Sequence, residues 1–263
     1  MISRLPYSVR ACMWKVFPWF KTERKNSLPV KINRKGIAFM KKLLLIMLLC
    51  LAVKGFSPAV PATAETGTPE MRLEDILDRV ETLYTASEFS ADFIQVSTIK
   101  AMDISDSASG RLLVKYPGKM RWEYRQPETQ IIVTDGEQLW LYRPEDRQVM
   151  VGEAATFFGE GKGAGFLSDI RRLRRDFDIT LEDITFSDYY NLRLVPLKQN
   201  WDLARIQLLV SKKTFQIFQV YTYNAYDDAT RIEFANVQFN TPLPNSLFTF
   251  VIPDNVDVLK LDQ

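Results

Sequence analysis

The chain has no histidine, and its two cysteines, Cys12 and Cys50, both lie before residue 65. From residue 65 onward there is no imidazole base, no thiolate nucleophile, no disulfide and no His/Cys set for zinc. Ser-His-Asp and Cys-His catalysis are excluded. Paired carboxylates would still suit a glycosidase, but no Asp/Glu pair is marked out from the rest. The stretch GEGKGAG at 159–165 lacks the Lys-[Ser/Thr] ending of a phosphate loop, because Gly163 follows Lys162, and no apolar strand leads directly into it. It reads as a flexible hinge. No catalytic function, cofactor or metal is expected.

A basic surplus is also missing from most of the chain. Of its 34 Lys/Arg and 32 Asp/Glu, residues 1–64 hold 12 basic residues and one acid, Glu23, which leaves 22 basic and 31 acidic residues in 65–263, a net charge of −9. Nucleic-acid phosphates select the opposite sign, so nucleic acid is not an expected partner. The apolar run Leu43–Val53 has 11 residues. As a helix it rises only about 16 Å, roughly half the ~30 Å hydrocarbon core, which argues against a membrane anchor. Met40-Lys41-Lys42 precedes the run and Ala62-Thr63-Ala64 follows it. Together they read as a secretory signal peptide over 40–64, cut before Glu65. Residues 1–39 then read as an upstream extension from a start placed too early, with a long leader as the alternative. Lipid anchoring at Cys50 is disfavoured: Leu49 before it is not small, and cleavage after Ala64 removes it.

What is present after residue 65 is one helix and much strand material. Thr68-Pro69 reads as N-cap and first helical position. Leu73, Ile76, Leu77, Val80, Leu83 and Tyr84 then form one apolar stripe of a helix over about 69–87. From Phe89 the period changes to that of strands. Strand-like runs follow near 107–116, 119–126, 129–134, 137–143, 147–151, 178–183, 186–195, 203–210, 214–223, 228–240 and 247–252. Tyr116-Pro117-Gly118-Lys119 is a type II turn candidate, and Asp135-Gly136 a two-residue hairpin signal. Short strands and tight turns indicate an antiparallel sheet, sandwich or barrel rather than a βαβ fold. Residues 154–175 interrupt the rhythm as two short helical pieces around glycines. Arg171, Arg172, Arg174 and Arg175 there suit either a solvated helix face or a patch for anionic lipid or a partner.

The stretch GRLLVKYPGKMRWEYRQP, 110–127, places Met120, Trp122 and Tyr124 on one side of a strand and Arg121, Glu123 and Arg125 on the other. In an ordinary β-domain the first three fill a core. In a sheet curved around helices they line a cavity instead.

The run from Gly110 to Pro127 resembles the periplasmic outer-membrane lipoprotein carrier proteins, the LolA family. The likeness continues through Ile132-Val133, Asp135-Gly136, Leu139-Trp140, Tyr142, Pro144 and Gln148-Val149. Phe89, Ala91, Phe93 and Gln95 match the family's first strand, and Phe248-Thr249-Phe250 with Pro253 and Val256-Asp257-Val258 its ending. The resemblance implies a mainly β fold: an incomplete, half-closed antiparallel β-barrel of about eleven strands, covered by a helical lid, over 65–263. It implies a periplasmic carrier that takes triacylated lipoproteins from an inner-membrane ABC-type exporter and passes them to an outer-membrane, LolB-like receptor, the carrier itself being monomeric. The expected acyl-binding cavity is Phe93, Leu113, Met120, Trp122, Tyr124, Leu139 and Leu141. The expected lid residues are Leu77, Phe157, Phe158, Phe166, Leu167 and Ile170. Family members carry an Arg before the motif's Pro that bonds to the lid. Here Tyr116 stands in that position, with Arg121 as a candidate substitute. Two other readings are a lipid-sensing domain of an envelope-stress pathway and a secreted carboxylate-based glycan hydrolase.

Overall fold

The computed structural model describes residues 71–182, 188–199 and 201–261. The leader, the signal peptide and Thr68-Pro69 lie outside them. The first helix, α1, is Leu73–Ala86, so it begins where the stripe does and about a turn later than the Thr68-Pro69 cap reading suggested. Arg72 precedes it and its guanidinium pairs with Asp75 at 3.0 Å. Glu74 and Asp75 in its first turn complement the helix dipole. Its apolar stripe, Ile76, Leu77, Val80 and Tyr84, is buried.

Among the described residues twelve strands follow: β1 Phe89–Ile99, β2 Ile104–Lys115, β3 Lys119–Gln126, β4 Gln130–Thr134, β5 Gln138–Arg143, β6 Gln148–Glu153, β7 Phe177–Glu182, β8 Tyr189–Pro196, β9 Arg205–Ser211, β10 Ile217–Tyr223, β11 Ala229–Phe239 and β12 Asp257–Lys260. Between β6 and β7 lie α2 (Ala154–Phe158), a 3-10 stretch (Gly159–Ser168) and α3 (Arg172–Asp176). All strands join one sheet in the order β12-β6-β5-β4-β3-β2-β1-β11-β10-β9-β8-β7, with free edges at β12 and β7, so the barrel does not close. Eleven strands are antiparallel, as expected. The twelfth is an addition, pairing in parallel with β6. The expected strand at 247–252 is instead a 3-10 turn, Asn245–Phe248, followed by unpaired chain. Its aromatic residues pack through their side chains rather than through a ladder.

Register settles which residues share a face. Across the sheet Ala91, Leu112, Trp122, Ile132, Leu141 and Met150 are directly opposed neighbours. The same face carries the row Phe89, Val114, Met120, Thr134, Leu139. Tyr84 of α1 contacts the rings of Phe89 and Phe239 edge-on at 5.1 and 5.3 Å, so the helix lies on this inner face. Gly110 opposes Tyr124 beside a bulge, where a Cβ would sit 2.0 Å from the Glu123 carbonyl oxygen; no other residue fits there without moving the strand. At the 116–119 turn Gly118 has φ +76°, and the Tyr116–Pro117 bond is cis. The Asp135-Gly136 turn spans three residues rather than two. Asp135 Oδ1 accepts from the Glu137 and Gln138 amides at 2.9 and 2.8 Å.

The outer face of β2–β6 is covered as well. The chain after β11 crosses it, and Leu243, Leu247 and Phe248 pack with Leu113. Lys115 Nζ donates to the Leu243 carbonyl at 2.9 Å and pairs with Glu88 at 2.6 Å. Arg121 Nη1 donates to the Leu247 carbonyl at 3.3 Å, and Tyr142 meets Phe250 at 5.5 Å. Phe248 is fully buried whereas Val251, three residues on, is 86% exposed. Phe248→Ala therefore costs about 3–5 kcal/mol of stability, whereas Val251→Ala changes it by no more than about 0.5 kcal/mol, as read by denaturant unfolding.

Candidate functional site

The inner face of β1–β6 is the candidate site. Leu112, Met120, Leu139 and Leu141 are fully buried there, and Trp122 and Phe93 are nearly so. Strand alternation puts them on one side, and their ring edges interlock: Phe93 meets Trp122 at 4.9 Å and Tyr124 at 5.0 Å, both T-shaped. The Trp122 indole N–H donates to Met120 Sδ. Tyr124 is half-buried and its hydroxyl donates to Gln95 Oε1 at 3.1 Å. Desolvation raises the Tyr124 phenol well above its ordinary value, which keeps it a donor.

Six of the seven expected cavity residues share this face: Phe93, Met120, Trp122, Tyr124, Leu139 and Leu141. Leu113 does not. It opposes Arg121 on the outer face and packs under the C-terminal crossing, while its neighbour Leu112 faces inward opposite Trp122. Residues 112–114 are apolar on both faces because both faces are covered, and that hides the phase in the sequence. Ile132 and Met150 also belong to the inner face and were missed, because β4 and β6 run Ile131-Ile132-Val133 and Val149-Met150-Val151, apolar on both faces, and only register against Leu141 assigns them.

The helical segments supply the cover. Leu77, Phe158, Phe166, Leu167 and Ile170 are buried, and Phe157 is half-buried with its ring 4.9 Å from that of Phe158. The 3-10 stretch is not a loose hinge throughout, since Ala164 to Ser168 are buried and Gly165 packs so closely on Phe158 that a Cβ would lie 2.6 Å from that residue's own. Three contacts pin the cover to the sheet. The Ala154 amide donates to the Glu137 carbonyl and the Gly118 amide to the Ser168 carbonyl, both at 2.8 Å. The Ile217 amide donates to Tyr84 Oη at 2.9 Å.

Tyr116 meets the cover through its ring rather than its hydroxyl: the Arg171 guanidinium lies over it at 4.9 Å. Arg121 makes no such contact. It points from the outer face, pairing with Glu123 at 2.6 Å and holding the C-terminal crossing, so the structure removes it as the substitute latch. The arginines of 171–175 are neither a bare solvated face nor a free patch. Arg172 pairs with Asp176 at 2.9 Å and donates to the Phe158 carbonyl. Arg174 reaches Glu74, Asp78 and Glu81 of α1, the last at 2.8 Å. Among the described residues no cluster of three or more His, Cys, Asp or Glu is placed to hold a metal, and no helix is long and apolar enough to cross a membrane.

The fold is an open, mainly antiparallel β-sheet whose apolar inner face lies under a helical cover. The family model described as outer membrane lipoprotein carrier protein LolA matches residues 84–251. The chain is 31% identical over 222 residues to the outer-membrane lipoprotein carrier protein of Legionella pneumophila (strain Corby), covering 84% of this chain and all of that one. It is 31% identical over 175 residues to that of Nitrosomonas europaea, covering 66% of this chain and 84% of the other. The crystal structure of a LolA superfamily protein from Nitrosomonas europaea matches at 14% identity and a TM-score of 0.39, over 69% of this chain and 99% of that one. The chain belongs to the outer membrane lipoprotein carrier protein LolA family.

One contact of the cover titrates. Hydrogen bonds from Arg175 and then Arg172, outweighing desolvation, hold the Asp176 carboxyl below the ordinary carboxylate value. A lowered folded pKa contributes stability that is complete above the unfolded value and is lost as pH falls through the folded one. The stability difference between the native protein and Asp176→Asn, measured by denaturant unfolding, is therefore constant near neutrality and shrinks below about pH 4.

Proposed function

We propose that residues 65–263, freed from a signal peptide, form a periplasmic carrier whose inner face receives the acyl chains of mature lipoproteins, with Leu77 and the 154–175 segment acting as a lid. The observation that carries this reading is the inner face itself. A continuous set of large apolar side chains, Leu112 to Met150, is roofed by segments that carry their own hydrogen bonds and ion pairs. Such a roof can give way, and acyl chains can take its place against the sheet. Family membership supports the same reading, because the relatives bear the name of lipoprotein carriers. A role in binding and transfer also accords with the absence of histidine and cysteine after residue 65.

Magnitude explains why the site is covered rather than open. One buried methylene is worth ~0.8 kcal/mol, so one sixteen-carbon chain gives roughly 10 kcal/mol. Three such chains would pass the practical affinity limit near −20 kcal/mol, and cargo held so tightly would not be released. Displacing the lid offsets part of the gain. An inner-membrane ABC-type exporter then supplies the work of loading, and an outer-membrane receptor with a better pocket collects the cargo. The net charge of −9 on 65–263 suits encounter with a basic receptor mouth.

β3 offers a direct test, since adjacent residues face opposite ways. With a photocrosslinking amino acid in place of Tyr124, illumination during lipoprotein release from spheroplasts that contain the exporter links the protein to lipoprotein. The same amino acid in place of Glu123, on the outer face, does not. Equal crosslinking at both positions, or no soluble complex at all, overturns the reading.

A further inference from the structure

The inner face changes character along its strands. Beyond the apolar rows, the same face of β1, β2, β3 and β11 carries Tyr124, Gln95, Ser97, Thr230 and Asp106. Ser97 is directly opposed by Asp106 on one side and Thr230 on the other. The group is linked: Tyr124 Oη donates to Gln95 Oε1 at 3.1 Å, Gln95 Nε2 donates to Ser97 Oγ at 3.3 Å, and the Ser97 and Thr230 hydroxyls lie 3.2 Å apart. Gln95 is 4% exposed. Asp106 is half-buried, and its Oδ2 is shut off from solvent and has no hydrogen-bond partner among the described residues. Desolvation raises its carboxyl above the ordinary value.

A carboxylate oxygen shut off from water and without a donor is costly, and packing alone gives no reason to keep one in this belt. The apolar rows, moreover, cannot tell one lipid from another, because every acyl chain presents the same methylenes. Discrimination has to come from the group to which the chains are attached.

We propose that this polar belt is the subsite for the N-acyl amide and first peptide groups of the cargo, with Asp106 accepting an amide N–H and excluding lipids whose head is an anion. The proposal rests on the acyl-binding reading above and deepens it. An amide N–H supplies the donor that Asp106 Oδ2 lacks. A fatty-acid carboxylate or a phosphate in the same place sets like charges together in a partly desolvated belt, which is unfavourable.

The test uses two probes with the same tail, N-palmitoyl-cysteinyl-serine amide and palmitate, each displacing an apolar fluorescent dye from protein recovered from the periplasm of expressing cells. The native protein prefers the neutral amide probe by about tenfold, a modest value for a site that hydrogen-bonds its ligand. Asp106→Asn, close in size and unable to repel an anion, lets palmitate bind more tightly and brings the ratio towards one. Ser107→Ala, on the outer face of the same strand, leaves the ratio unchanged. Equal binding of both probes by the native protein, or a ratio that Asp106→Asn leaves intact, overturns the subsite but not the cavity. Failure of either probe to displace the dye overturns the acyl-binding reading along with it.

Discussion

The structure depends on the apolar inner face of β1–β6 being kept from water. Phe93, Leu112, Met120, Trp122, Leu139 and Leu141 form a surface that no soluble sheet can leave bare, and each is almost wholly buried. A sheet with free edges at β12 and β7 cannot hide that surface by closing on itself. The cover has to come from elsewhere in the chain, and the carrier function proposed above requires that this cover be removable.

The two sides of the sheet are covered in different ways. On the outer face the chain after β11 is fixed by buried Phe248, by Lys115 and Glu88, and by Arg121 on the Leu247 carbonyl. That side has the marks of permanent structure. On the inner face, Arg174 of α3 joins three acids of α1, of which Glu74 at 65% and Asp78 at 70% are largely exposed and Glu81 at 22% is not. Ion pairs of that kind contribute little each and are readily exchanged for water. The Tyr116–Arg171 contact belongs with them: a ring beneath a guanidinium fixes position without the fork of hydrogen bonds that an Arg in place of Tyr116 would offer.

Much of this was legible in the sequence. The stripe from Leu73 to Tyr84 located α1, and alternation through Met120, Trp122 and Tyr124 gave the inner face of β3 correctly. Legibility failed where both faces of a strand are apolar. Leu112 and Leu113 are equally greasy and only register separates them, with Gly110 opposite Tyr124 setting the phase. It failed again at the C-terminus, where Phe248 and Phe250 read as a strand but pack through side chains. There the pairing belongs to Asp257–Lys260, whose four residues are all exposed and give no periodic signal. Arg121 was proposed as a latch although alternation already set it opposite Trp122, on the face away from the cover, and register confirms that side.

Methyl NMR tests the central claim most directly. A triacylated lipopeptide carrying a nitroxide midway along one acyl chain is bound to the protein, and the methionine methyl signals are followed. Met120 and Met150 face inward and Met102 is exposed on the turn after β1. The account predicts that Met120 and Met150 broaden strongly while Met102 stays sharp. Bound lipopeptide that leaves Met120 and Met150 sharp would contradict it.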